Sequence, residues 1–143
     1  MCARIIWAVN AAGYTTEFEA FTRERLGVSP LPTAHRIVSD LVRPTARQFV
    51  LGEDACECRS LIGLGESDQP ERGKPSAEAL LSWLRELPEH APHLSTLIAL
   101  RAWSPEDAAL TPVAEHSVTV TAVTEALLRG VADNELLAVG YAR

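Results

Sequence analysis

The chain opens on a continuous apolar run, Ile5-Ile6-Trp7-Ala8-Val9, that stops at the turn-forming residues Asn10 to Gly13. A short run rich in β-branched and aromatic side chains, closed by such a turn, predicts a strand over residues 3–9. The period then changes. Thr16 and Glu19 form a capping-box pair, Phe18 and Phe21 share one helical face, and Gly27 suits a C-terminal cap, so residues 17–26 read as a helix. Residues 29–32 read as a linker. Ile37, Val38, Leu41 and Val42 fall at helical spacing within 35–43, and Pro44 would end that helix.

Two short apolar runs, 48–51 and 55–62, flank Gly52-Glu53-Asp54 and predict a hairpin. Residues 63–74 hold three glycines, one proline and five charged side chains, the composition of an exposed, mobile loop. Pro75 suits a first helical turn. From there Ala77, Leu80, Leu81, Leu84 and Leu87 trace an apolar stripe that Pro88 is expected to stop. Leu97 to Leu100 mark a buried strand over 95–103, followed by a loop over 104–112. Alternation within 113–120 predicts a half-exposed strand, 121–129 a helix capped by Gly130, and 135–142 a last strand after Asp133-Asn134. This order is neither a train of βαβ units nor a β-sandwich. It predicts an α+β fold whose mixed sheet of about five or six strands is covered by about three helices.

Composition narrows the function more than it names it. At 143 residues, 47% hydrophobic and 22% charged, the chain reads as a single globular domain over 1–143. A net charge of -6 opposes a phosphate backbone, so no nucleic acid is expected as a partner. Apolar runs are too short to span a bilayer, and the opening segment is too short for a secretory leader, so neither membrane nor export is expected. Three cysteines, an odd count, fit a reducing cytoplasmic compartment better than a disulfide framework. Trp7, Trp83 and Trp103 lie on predicted core elements and read as core aromatics.

The residues that carry chemistry are the thiols. In Cys56-Glu57-Cys58, side chains two apart on an extended segment project to one side, so both sulfurs can meet one ion. Zinc takes four thiolate or imidazole ligands, and Cys2, His90 and His93 are the candidates that complete the set. One knuckle, shorter than the usual C-x₂₋₄-C, is a weak signature. A redox role for the same thiols is favoured by Arg59 and opposed by Glu53, Asp54 and Glu57. Against both stands the reading of cysteine as a small core hydrophobe in a non-catalytic interaction module, which binds a protein partner or itself through sheet edges. His35 with Asp40 and Ser39, and His116 with Glu115 and Ser117, offer acid–base groups whose sequence separation fixes no triad. Gly63-Leu64-Gly65 lacks the third glycine of a dinucleotide fingerprint.

Cys2 carries a further reading. Removal of Met1 would set its thiol beside an α-amine able to act as base. The Met1-Cys2 start and the apolar strand after it resemble the opening of class II glutamine amidotransferase domains. That resemblance implies an N-terminal cysteine nucleophile in a hydrolase or amidotransferase. Ala3 stands where the family's glycine usually follows the cysteine, and the chain is shorter than those domains.

Overall fold

The central strand of the molecule is β1 (Ala3–Val9), hydrogen-bonded on both sides, which is why its sequence is apolar without alternation. A computed structural model describes residues 2–53, 56–66, 68–103 and 109–141. After β1 come α1 (Thr16–Leu26), β2 (Pro30–Thr33), β3 (Arg47–Leu51), α2 (Ala77–His90), β4 (Thr96–Trp103), β5 (Ala114–Thr119), α3 (Glu125–Arg129) and β6 (Glu135–Gly140). The fold is α+β: one mixed six-stranded sheet in the order β2-β3-β1-β4-β6-β5, with three α-helices among the described residues.

Connectivity divides the sheet in two. From β1 to β4 the chain runs βαββαβ, with β1 antiparallel to both β3 and β4 and β2 antiparallel to β3. That order is the split βαβ arrangement of ferredoxin-like folds. β6 extends it antiparallel to β4, and β5 lies parallel to β6 through a crossover that contains α3. Alternate residues of β1 feed two cores. Ile5, Trp7 and Val9 pack with Phe18, Phe21, Trp83, Leu84 and Leu87 under the helices. Ile6 and Ala8 pack with Val50, Ile98 and Leu100 on the other face, against Ile37, Val42 and Leu110.

Four local expectations are corrected. Residues 35–43 are not a helix: Val38 N–H donates to the Leu110 carbonyl at 2.8 Å, and Leu110 N–H donates to that of Arg36 at 2.7 Å. The backbone groups a helix would pair internally are engaged by a segment far along the chain. Most of the linker expected over 29–32 belongs to β2, which covers 30–33. Proline cannot donate to a ladder, so a strand carrying Pro30 and Pro32 is tolerated at a sheet edge, and β2 is that edge. The second arm of the expected hairpin is a series of turns over 56–62, with Asp54 and Ala55 outside the described residues. The expected helix over 121–129 is split into a 3-10 turn at Val120–Ala122 and the shorter α3, because Thr124 in extended backbone caps Leu127 with its side chain.

Two smaller differences have equally local causes. The cap of α1 is Thr15, whose hydroxyl accepts from Phe18 N–H, one residue before the expected position. α2 continues two residues beyond Pro88. Its buried stripe of Leu80, Trp83, Leu84 and Leu87 packs on α1, to which Trp83 Nε1 adds a 3.0 Å hydrogen bond to Thr22. Residues 63–74 are irregular and mostly exposed, with Ser67 outside the described residues.

Candidate thiol centre

β3 pairs with β1 only from Trp7 to Val9, so the first half of β1 is left without a strand on that side. Residues 57 and 58 fill the gap. Glu57 N–H donates to the Ala3 carbonyl at 2.9 Å, Ala3 N–H to Cys58 Sγ at 3.2 Å, and Ile5 N–H to Glu57 Oε2 at 2.6 Å. Two side chains thereby stand in for ladder carbonyls, and the C-x-C segment is fixed against the start of the central strand.

This docking brings the sulfurs together. Cys2 and Cys56 are joined as a disulfide with their Cα atoms 5.2 Å apart, inside the range such a bond spans. Cys58 carries a free thiol, and the three sulfurs lie within 4.8 Å of one another, each partly buried. The sulfurs meet although residues 56–58 are not the extended strand that the C-x-C reading assumed, Cys58 lying in a turn. Glu57 is buried, 3% exposed, its carboxylate meeting the same edge of β1 as Cys58. Lys74 Nζ donates to the Cys56 carbonyl at 3.5 Å, bringing the end of the 63–74 loop over the motif.

His90 and His93 stand apart from this group. His90 closes α2 and its ring stacks on Phe21, centroids 3.9 Å apart, while the His93 carbonyl accepts from Asn10 Nδ2. Asn10 directly follows β1, whereas Cys2 directly precedes it. Seven strand residues at about 3.3 Å each separate the two ends by roughly 20 Å. The structure therefore brings together Cys2, Cys56 and Cys58 and leaves the histidines at the opposite end of the strand.

The other candidate groups have partners of their own. His35 Nε2 lies 3.1 Å from Thr33 Oγ1, and burial, aided by the Arg4 charge, holds its pKa below the ordinary histidine value. Ser39 donates to Glu115, and His116 faces Glu135 at 3.9 Å. Neither histidine is hydrogen-bonded to the serine nearest it in sequence. The N-terminal-nucleophile reading needs a free Cys2 sulfur, which here is bonded to Cys56, and Met1 lies outside the described residues.

The buried Glu57 carboxylate escaped the sequence reading, which counted it only as local negative charge. No family model, curated protein or solved structure matches the chain. Among the described residues, no helix is long and apolar enough to cross a membrane.

Proposed function

We propose that this protein is a thiol-dependent metal protein in which Cys2, Cys56 and Cys58, when reduced, hold a zinc ion. The observation that carries this reading is the mutual approach of three sulfurs to within 4.8 Å. Thiolates around tetrahedral zinc, at about 2.3 Å from the ion, stand about 3.8 Å from one another, so small side-chain rotations suffice. The fourth position falls to water or to an incoming ligand, as in zinc sites that remain open. Oxidation of Cys2 and Cys56 by a small-molecule disulfide, which departs as two thiols, would form their bond and remove two ligands. A reducing cytoplasmic compartment would keep the site in its metal-binding form.

A second reading follows from the Cys2–Cys56 pairing itself: the bond clamps the turn-rich 56–62 segment to β1, and the protein is a binding module with structural cysteines. One experiment separates the two. Anaerobically reduced protein is equilibrated with zinc, freed of excess ion, and assayed by native mass spectrometry and elemental analysis. Metal binding predicts one zinc per chain, lost in C2S, C56S and C58S and on oxidation. Reduced protein with three free thiols and no bound zinc at about micromolar free ion would overturn the metal reading and leave the clamp.

A further inference from the structure

The Cys2–Cys56 disulfide and the Cys58 thiol occupy one cluster, with the three sulfurs within 4.8 Å of one another. A thiol beside a disulfide can exchange with it and needs no outside oxidant or reductant to do so. Cys58 is held toward Cys2, since its Sγ accepts at 3.2 Å from the N–H of Ala3, the residue that follows Cys2. The backbone between the two motif cysteines is held as well. Glu57 N–H donates to the Ala3 carbonyl at 2.9 Å, Glu57 Oε2 accepts from Ile5 N–H at 2.6 Å, and neither contact uses a cysteine side chain.

We propose that Cys58 exchanges with this bond, so that the disulfide alternates between Cys2–Cys56 and Cys2–Cys58. In the forward step Cys58 gives its proton to water and its thiolate attacks Cys2 Sγ. The S–S bond to Cys56 breaks, its electron pair stays on Cys56 Sγ, and that sulfur takes up a proton. One thiol and one disulfide enter, and one of each leaves. Attack on Cys2 keeps the motif tied to β1, because one or other motif cysteine then holds Cys2. Attack on Cys56 would instead close a ring over one intervening residue and release Cys2. The Glu57 contacts serve both forms, so the bond moves between neighbouring sulfurs while the segment stays against the strand. The protein thereby keeps its clamp and presents its nucleophilic thiol at either of two positions.

The exchange rests on the same sulfur cluster as the metal reading but concerns its oxidised, metal-free form. A reduced form that binds no zinc would leave the exchange standing, and oxidised protein that does not exchange would leave zinc binding by the reduced form standing. Sulfurs held in one cluster react within one molecule, so the rearrangement should not depend on protein concentration.

Thiol mapping tests it. Oxidised protein is kept anaerobic with a chelator and then blocked with excess N-ethylmaleimide, which captures the remaining thiol and stops further exchange. Cleavage after Glu57 by a glutamate-specific protease parts Cys56 from Cys58, so mass spectrometry reads the label on each. Cys56 is expected to carry at least about a tenth of the label and Cys58 the rest, a share that stays constant over about a tenfold range of protein concentration. In Cys56→Ser, Cys2 and Cys58 are expected to form a disulfide in glutathione buffer. The proposal is overturned if Cys56 carries less than about a tenth of the label, or if its share rises with protein concentration, which marks exchange between molecules. Label on Cys2 in place of Cys56 marks attack on Cys56 and overturns it too. So does a Cys56→Ser protein, folded by circular dichroism, that forms no Cys2–Cys58 bond. Should that variant not fold, the label map of the unaltered chain decides alone.

Discussion

The Tyr141 hydroxyl donates to the Leu84 carbonyl at 2.8 Å, the carbonyl that Pro88, four residues on, has no N–H to reach. A residue beyond the last strand thus supplies the hydrogen bond that a proline withholds within α2, and the helix runs on to His90. The bond is buried, so Tyr141→Phe should cost about 1–3 kcal/mol by leaving an unsatisfied carbonyl. In a Pro88→Ala background the helix can supply its own donor, and the same substitution should cost clearly less. Urea unfolding of the four proteins in the cycle measures the difference.

The Cys2–Cys56 bond links residues 54 apart in sequence. Closing a loop of that length in the unfolded chain is worth about 4 kcal/mol in the chain-entropy model. Reduction in the presence of a chelator, which removes any compensation from metal, should therefore lower the urea midpoint substantially. The double variant Cys2→Ser with Cys56→Ser should show the same loss and no further response to reductant. Equal midpoints for oxidised and reduced wild type would show that the bond contributes nothing to stability.

Gly63 has φ +80, and a Cβ there would run into the Val131 carbonyl and the Arg101 side chain. Arg101 has little room to yield, being bonded at 2.8 Å both to the Ile62 carbonyl and to Asp133. Gly65 has a similar φ of +92 with open space around it. Gly65→Ala should then cost only the left-handed backbone penalty of about 1–2 kcal/mol, and Gly63→Ala at least about 2 kcal/mol more. Thermal unfolding of the two variants side by side tests this ranking.

The Tyr14 phenol is pushed up to about 12 from its ordinary 10.0, first by burial, then by its hydrogen bond to Glu19 and the charge of that carboxylate, with Arg47 opposing. Its pKa is raised in the folded state, so its contribution to stability is complete below pH 10. That contribution is lost as pH rises from about 10 to 12, where the unfolded chain gives up the proton first. Absorbance titration near 295 nm, compared with Tyr14→Phe, should show this late ionisation. Glu19→Gln should bring it earlier, while burial keeps it above 10.

Where hydrophobic period and local chemistry agreed, the chain could be read directly. The unbroken run of β1, the stripe of Leu80, Leu84 and Leu87 on α2, and the run at Leu97 to Leu100 on β4 each lie where the pattern predicts. Reading failed where a distant residue supplied what the local sequence lacked. Leu110 draws residues 36–38 out of a helical pattern, and Tyr141 carries α2 past its proline. β3 gives Pro30–Thr33 a neighbour that makes a strand of what reads as a linker.

The candidate site divides in the same way. Of the site, local sequence determined only that Cys56 and Cys58 lie two residues apart. It equally determined an α+β fold, since helical and strand periods are written in neighbouring residues. Only the tertiary structure decided that Cys2 joins the C-x-C motif, that His90 and His93 lie a strand's length away, and that Glu57 is buried against β1. Those placements depend on where β3 stops pairing with β1 and leaves a gap for residues 57 and 58. Strand register is set by contacts between residues remote in sequence, and no local pattern encodes it.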